Sequence, residues 1–350
     1  MQSGSERRAA AVIRTAWTWG RVIGGAGILV LLGWRLGSSP FLHGMRVVDG
    51  ETFSVAVGLG AVTTVLSAWR WSLVARGLGM QVPLRDAVSD YYRSLFINAV
   101  LPGGVLGDVH RAVQHGRDVG DVARAVKAVV LERSAGQIVL VSAGVTVLVM
   151  DPQPLLALLH AGSAATTMPV AIGVAAAIAV VTGVLVRGRT SRWAGTARAW
   201  GTDVRRGLLS SGNRLGIFVA SAGVLAGHLA TFALAAHAVG STASFPRLVP
   251  LLLLALLAMT LPLNIGGWGP REGALAWAFG AAGLNASQGL TIAVVYGLFA
   301  FVASLPGAAV MTAGWIARLR LDRGPQHATL GPVAGPVVSW PVHLVTDSTS

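Results

Sequence analysis

The segment of residues 88–113 reads VSDYYRSLFINAVLPGGVLGDVHRAV, and its pattern predicts an interrupted helix. Polar residues between positions 86 and 98 recur at three- and four-residue steps, which places them on one face of a helix. The Pro-Gly-Gly sequence at residues 102–104 ends this helix, and a second helix is predicted to carry Asp108 and Arg111. An apolar environment tolerates such a charged break only where it packs inside the protein or lines a polar cavity. This requirement constrains the fold more than any other feature of the sequence.

The rest of the chain supplies that apolar environment. The 350-residue sequence is 53% hydrophobic and only 12% charged, whereas soluble domains contain about 25% charged residues. We therefore predict an all-α polytopic membrane protein with about six transmembrane helices. The predicted spans are residues 16–36, 52–69, 129–150, 168–186, 215–239 and 290–316. Residues 118–130 are predicted to form a separate helix at the membrane interface.

A second break occurs far downstream, where residues 261–277 read LPLNIGGWGPREGALAW. We expect both breaks to form re-entrant helical hairpins, at about residues 86–113 and 246–284, which enter and leave the membrane on the same side. In that topology most of the 27 Lys and Arg residues lie on one face, including the basic loop 187–214. The positive-inside rule then places this loop and both termini in the cytoplasm, and the two halves take the order of an inverted repeat.

The predicted domain organisation follows from these spans. A cytoplasmic N-terminal arm covers residues 1–15, the membrane domain covers residues 16–323, and residues 324–350 are expected to be a disordered cytoplasmic tail. The chain contains no cysteine, which excludes disulfides and thiolate metal sites. No P-loop, HExxH or G-x-S-x-G motif occurs, so we predict no enzymatic activity, no cofactor and no metal site. The isolated His228 and His237 are expected to form core or interhelical hydrogen bonds.

Three motifs occur in order along the chain. They are Asn98-x3-Pro102-Gly103-x3-Gly107-Asp108-x2-Arg111, Leu131-Glu132-Arg133, and Pro262-x3-Gly266-Gly267-x-Gly269-x-Arg271-Glu272. In this order they resemble the flippase-like membrane domain of lysylphosphatidylglycerol synthases, over about residues 16–320. The resemblance implies binding or movement of a membrane lipid. Bifunctional members carry a soluble aminoacyl-transferase domain after this region, and we expect this chain to be a stand-alone member without that domain.

The residues around both breaks form the predicted lipid site. A helix that starts after a break directs unpaired N–H groups and a positive dipole end into the cavity, where an anion can bind. Arg111 and Arg271 are expected to hold a lipid phosphate. Asp108 and Glu272 either cap these helices and pair with the arginines, or gate the site and recognise a cationic headgroup. The predicted lipid-binding residues are Asn98, Pro102, Gly103, Gly104, Asp108, Arg111, Glu132, Arg133, Asn264, Gly266, Gly267, Arg271 and Glu272.

Two functions of different kinds fit these residues. The first is a flippase that translocates a phospholipid or glycolipid headgroup through a cavity between the two hairpins. The second is a non-transporting accessory protein that binds a lipid or polyprenyl-linked carrier for a cell-envelope enzyme. A membrane-embedded transferase that uses Asp108 or Glu272 as a base is the weakest alternative. Glu132 and Arg133 lie either at the membrane interface or along the inner vestibule of the cavity.

The expected partners are anionic or zwitterionic membrane lipids, with no nucleic acid, because the basic residues lie between apolar runs. The expected location is the cytoplasmic membrane, in monomeric or oligomeric form. Trp268 lies inside the second break and is a further candidate for ligand contact.

Overall fold

The computed structural model describes residues 42, 44, 46, 48–101, 104–150, 194–260 and 268–322. Within these ranges the regular elements are helices, which we number in chain order. They are α1 (Gly50–Gly77), α2 (Leu84–Val100), α3 (Leu106–Asp118), α4 (Val122–Met150), α5 (Ala194–Gly207), α6 (Arg214–Ala238), α7 (Phe245–Ala258), α8 (Pro270–Ala281), α9 (Ala286–Ser304) and α10 (Pro306–Asp322). The prediction of an all-α polytopic membrane protein is confirmed.

Four helical stretches in the described part of the chain are long and apolar enough to span a bilayer. They are α1, the Val122–Val147 part of α4, α6, and Ala286–Ala313, which combines α9 with the start of α10. These stretches coincide with four of the predicted spans, whereas the predicted spans 16–36 and 168–186 lie outside the described residues. The last stretch is divided before Pro306 because proline has no N–H group to continue the helical hydrogen bonds.

The prediction of a separate interface helix at residues 118–130 is wrong. α3 ends at Asp118, and Gly120, with a φ angle of +73°, turns the chain directly into α4. Asp121 caps α4 by accepting a 2.9 Å hydrogen bond from the Arg124 N–H group. A helix of 29 residues is about 43 Å long, which exceeds the ~30 Å thickness of the hydrocarbon core. Its polar first turns can therefore lie outside the core without a break in the helix.

α1 and α6 form the most extensive helix pair in the described residues, because small residues of α6 face α1. A Cβ atom on Gly223 would lie 2.8 Å from the Leu66 side chain, and one on Gly227 would overlap the methyl group of Thr63. Glycine at these positions lets the two helix axes approach closely, as is common between transmembrane helices. α6 also contacts α4 and α9, so it lies beside all three of the other long helical stretches.

Two pairs of shorter helices pack against this bundle. α2 and α3 contact each other and lie against α1 and α4, where Trp71 and Tyr91 belong to one buried apolar cluster. α7 and α8 also contact each other, with α4 beside α7 and α9 beside α8. Phe232, Phe279 and Tyr296 lie in the larger apolar cluster at this second pair. Both pairs overlap the predicted hairpins, although α3 continues to Asp118, five residues beyond the predicted end at residue 113. Their re-entry into the membrane stays a prediction.

The chain divides into two compact units, Met1–Met311 and Thr312–Ser350. The first unit contains α1 to α9 and every residue of the candidate site described below. In the second unit, the described residues are the last turns of α10. The predicted arm 1–15 and tail 324–350 lie outside the described residues.

Single cysteines can test the inverted-repeat prediction, because the native chain contains none. Gly104 has a φ angle of +60°, so cysteine is better placed at the exposed Val105, and at the exposed Thr260 beside the second break. We expect a membrane-impermeant maleimide to label Val105→Cys from the cytoplasmic side and Thr260→Cys from the outside. Glu51→Cys and Arg205→Cys, exposed at opposite ends of the bundle, provide the orientation references. Labelling of both breaks from one side would contradict the inverted repeat.

Candidate functional site

The first break is closed by hydrogen bonds between the end of α2 and the start of α3. The Asn98 side chain accepts a 2.7 Å bond from the Gly107 N–H group and donates a 3.3 Å bond to Asp108. Ser94 donates another bond, of 3.2 Å, to Asp108. A Cβ atom on Gly107 would lie 2.8 Å from the Ser94 Cα atom, so glycine is needed for this close approach. α2 therefore positions the Asp108 carboxylate.

Asp108 accepts hydrogen bonds from arginines on two different helices. Arg111 on α3 donates at 3.0 Å and Arg133 on α4 donates at 2.8 Å, both to Oδ1. Burial raises the pKa of Asp108, which lies outside the four long stretches, but Arg133, Arg111 and the hydrogen bond from Ser94 together lower it by more. The resulting pKa of Asp108 is below its usual value. Asp108 is therefore ionised at neutral pH and links the first break to α4.

Glu132 on α4 is fully buried and is the second acid near this break. Its Oε1 atom accepts hydrogen bonds from Arg70 at 2.5 and 3.0 Å and from the Tyr91 hydroxyl at 3.2 Å. Its Oε2 atom accepts a 3.2 Å bond from Arg111. A buried carboxylate is tolerated because it has such partners. The first-break cluster, as we call it, comprises Arg70, Asp108, Arg111, Glu132 and Arg133.

Arg111 bridges the two carboxylates, since its Nη2 atom contacts both Asp108 and Glu132. Its guanidinium lies between two aromatic rings, 4.5 Å from the centroid of Trp71 and 4.4 Å from that of Tyr91. Its Nε and Nη1 atoms are buried and have no hydrogen-bond partner in the described residues. With three arginines and two carboxylates, the first-break cluster carries one net positive charge.

Arg70 is a member of the cluster that sequence reasoning missed. It lies 62 positions before Glu132, at the end of an apolar run, and it also donates a 3.3 Å hydrogen bond to Ser221 on α6. A Cβ atom on Gly136 would lie 2.9 Å from Arg70 Nη1, so glycine provides space for the guanidinium. An arginine at the edge of an apolar span is the signal that could have found it. The two aromatic residues around Arg111 carry no comparable signal.

The second break carries a smaller ion pair at the start of α8. Glu272 accepts a 2.7 Å hydrogen bond from the Gly269 N–H group, which caps the helix. It also accepts hydrogen bonds from Arg271, through Nε at 3.0 Å and through Nη2. Arg271 is buried between Trp268 and Tyr296, with each ring centroid 5.1 Å from the guanidinium carbon. This pair is neutral, and both of its charges belong to one helix.

α6 contacts one residue beside each of the two charged sites. Ser221 accepts a hydrogen bond from Arg70, and His228 forms a 2.9 Å hydrogen bond with the hydroxyl of Tyr296, whose ring covers Arg271. The latter bond confirms the predicted interhelical role of His228. Two turns of α6 separate Ser221 from His228, which corresponds to about 10 Å along the helix axis. The two charged sites therefore border the same face of one long helix.

The predicted site residues divide between the two breaks. Those that meet at the first break are Asn98, Asp108, Arg111, Glu132 and Arg133, with Gly104 in the connecting loop. Those at the second break are Arg271 and Glu272, and those outside the described residues are Pro102, Gly103, Asn264, Gly266 and Gly267. The expected phosphate ligands Arg111 and Arg271 are buried and paired, whereas 41% of the Arg133 side chain is exposed. Lipid binding by these residues stays a prediction.

Comparison with known proteins gives one family match. The family model described as Lysylphosphatidylglycerol synthase TM region matches residues 17–307, which include both breaks. No curated protein and no solved structure matches the chain.

Replacement of Glu132 by glutamine tests whether the first-break cluster holds its helices together. The Glu132→Gln variant keeps the shape of the side chain but leaves three arginines with one carboxylate. We expect the free energy of unfolding to fall by about 3–5 kcal/mol, the usual cost of removing one partner from a buried ion pair. A denaturant titration of the detergent-solubilised protein measures this change.

The matched control is Glu51→Gln, which makes the same chemical change at an exposed position of α1. This variant should unfold at the wild-type midpoint, because surface substitutions rarely change stability. Equal midpoints for the wild type and for both variants would show that the buried charges do not stabilise the fold.

Proposed function

The chain belongs to the lysylphosphatidylglycerol synthase TM region family, and from this membership we propose that it is a lipid flippase. It is a multi-pass membrane protein whose matched region is the flippase-like, lipid-related part of the family and not the catalytic part. In our proposal, the headgroup of a phospholipid or glycolipid crosses the cytoplasmic membrane between the two breaks. The acyl chains remain in the surrounding lipid.

The observation that carries the proposal is the position of the first-break cluster, five ionised side chains within a bundle of membrane-length helices. Charges buried in membrane proteins are costly, and they commonly mark the pathway of a polar substrate. Well-packed apolar residues of similar volume would stabilise a fold as well or better. The cost in stability therefore supports a functional role for these charges.

The composition of the cluster favours a headgroup that contains phosphate. The cluster has one more cation than anions, and two buried nitrogen atoms of Arg111, Nε and Nη1, have no partner in the described residues. The indole N–H of Trp71, whose ring covers Arg111, is also buried without a partner there. A phosphate group can accept hydrogen bonds from several such donors at once. A neutral sugar would not compensate the excess charge.

Arg133 is the residue that a headgroup would contact first, because its side chain is the exposed cation of the cluster. A phosphate would replace Asp108 as the partner of Arg133, so that the number of ion pairs would not fall during entry. Glu132 is fully buried, and its role is to hold the helices that position Arg133 and the deeper donors of Arg111. In this exchange, the acid would pair with the arginine when no lipid is bound and would gate the site when the phosphate takes its place. Both roles considered for Asp108 and Glu272 are thereby combined.

The second break would open by the same exchange. Glu272 binds Arg271 through Oε1 and the helix cap through Oε2. Release of Arg271 to a phosphate would therefore leave the cap intact, and α8 would keep its start at Pro270. The chain carries no nucleotide-binding motif, so this movement would be driven by a lipid gradient or an ion gradient. We propose a cytoplasmic orientation for both termini, as the charge distribution indicates.

One observation favours the accessory-protein alternative. The ion pairs of Arg111 with Glu132 and of Arg271 with Glu272 are closed and buried in this structure. A protein that presents a lipid or polyprenyl-linked carrier to a cell-envelope enzyme would need the exposed edge of Arg133. It would not need to open the buried pairs.

Lipid translocation in reconstituted liposomes tests the proposal. Fluorescent phosphatidylglycerol, phosphatidylcholine and a glycolipid analogue are compared for the wild type and for Arg133→Gln. We expect Arg133→Gln to slow the translocation of phosphate-bearing lipids by about tenfold or more, because one charge-assisted hydrogen bond is lost. An impermeant external reductant bleaches only lipid in the outer leaflet, so the rate at which the protected inner-leaflet fluorescence is lost measures translocation.

The matched control is Arg214→Gln, which removes an exposed cation at the start of α6, outside both hairpins. This variant should translocate lipid at the wild-type rate. Equal rates for Arg133→Gln and the wild type would exclude a path through the first break. Absence of translocation by the wild type, with lipid still co-purifying, would support the accessory function instead.

A further inference from the structure

A polar cavity of about 480 Å³ lies where α1 ends and α4 begins, apart from both breaks. Its charged walls come from two helices. Asp121, Arg124 and Lys127 belong to the first turns of α4 and the residue before them, and Asp203 and Arg206 belong to α5. None of these residues is a member of the first-break cluster.

The walls of the cavity are held in place by close packing of α5. Lys127 on α4 binds Asp203 on α5 at 2.7 Å and lies 5.8 Å from the centroid of the Trp200 ring. A Cβ atom on Gly77 would lie 2.9 Å from the Gly207 Cα atom, so the ends of α1 and α5 are in direct contact. The cavity is therefore built between three packed helices.

Among the charged residues that line the cavity, one cation is not paired with a carboxylate in the described part of the chain. Asp203 is paired with Lys127, and Asp121 is paired with Arg124 at 3.1 Å while it also caps α4. Arg206 is exposed and has no side-chain partner among the described residues. Three cations and two carboxylates give the concave site one net positive charge. An anion with several acceptor oxygens fits this arrangement.

The cavity lies at the polar end of the bundle, where the interface of a membrane would be. α1 ends there, and α4 and α6 begin there, close to the amphipathic α5 with its partly exposed Trp200. An amphipathic helix with arginines on its polar face and tryptophan on the other is typical of the membrane interface. Basic pockets in this position attract the headgroups of anionic lipids.

An apolar stripe on α4 leads away from the cavity. Val122, Val126 and Val130 recur every four residues, so they share one face of the helix, and they are exposed by 39%, 41% and 44%. Val126 and Val130 lie three residues after Ala123 and Lys127, which line the cavity, so the stripe adjoins the cavity and continues along the membrane-length part of α4. A free phosphate ion would use the charged cavity alone, whereas a phospholipid would use both the cavity and the stripe.

We propose that this cavity binds the phosphate group of an anionic phospholipid, with an acyl chain along Val126 and Val130. Arg206 and Arg124 contact the phosphate. The ion pair between Lys127 and Asp203 keeps α4 and α5 together at the side of the cavity. This site is separate from the translocation path and does not depend on the flippase activity proposed above. It gives the protein a second lipid-binding site, at the surface of the membrane.

Native mass spectrometry of the full chain in neutral detergent tests the proposal. The protein is titrated with phosphatidylglycerol or with phosphatidylcholine that has the same acyl chains. We expect Arg206→Gln to weaken one phosphatidylglycerol-binding event by about tenfold, and the double variant Arg124→Gln with Arg206→Gln to weaken it further. Arg205→Gln is the matched control, since it removes the same charge from the neighbouring, exposed position outside the cavity. It should bind phosphatidylglycerol like the wild type.

Each other outcome overturns the proposal. Equal weakening by Arg205→Gln and Arg206→Gln would indicate diffuse surface charge, and equal binding of the two lipids would exclude an anion site. Displacement of phosphatidylglycerol by millimolar inorganic phosphate would identify the ligand as a free anion. Arg133→Gln keeps this binding event even if it abolishes translocation, so failure of the site and failure of the flippase proposal are distinguishable. Melting temperatures equal to that of the wild type establish that the variants are folded.

Discussion

The buried carboxylate of Glu132 is the interaction on which the arrangement of the first break depends. It accepts hydrogen bonds from Arg70 of α1, Tyr91 of α2 and Arg111 of α3, so that four helices meet at one side chain of α4. Each of these charges would be strongly unfavourable alone in an apolar bundle. Because they are compensated only when the helices come together, the ion pairs determine how the pair α2–α3 is seated against α1 and α4.

The two breaks use the same residue types in different arrangements. Each has an arginine between a tryptophan ring and a tyrosine ring, and each has an acid in the first turn of the following helix. At the first break the charged side chains of the cluster come from three helices, and together they carry one net positive charge. At the second break Arg271 and Glu272 pair within a single turn. In our proposal the first break recognises an anion, and the second opens without disturbing the packing of several helices.

α4 connects the two lipid sites that we propose. Its first turns line the polar cavity through Arg124 and Lys127, and Glu132 lies about 8 Å further along the helix axis. A lipid held at the surface cavity would lie close to the exposed edge of the first-break cluster at Arg133. The continuity of α4 explains this proximity, because one unbroken helix carries both the surface cations and the buried acid.

The sequence by itself determined the class of the protein and the approximate positions of the four described spans and of both short helix pairs, because these follow from local apolar length, periodicity and proline–glycine breaks. It did not determine that α4 begins at Val122. It also did not determine that Arg70 is a partner of Glu132, because the two residues lie 62 positions apart in the chain. Whether an arginine is open to a ligand or closed by a carboxylate depends on which helices pack together. Only the tertiary structure decided that Arg111 and Arg271 are buried in ion pairs while Arg133 remains partly exposed, because burial is a property of the assembled helices and not of any one segment.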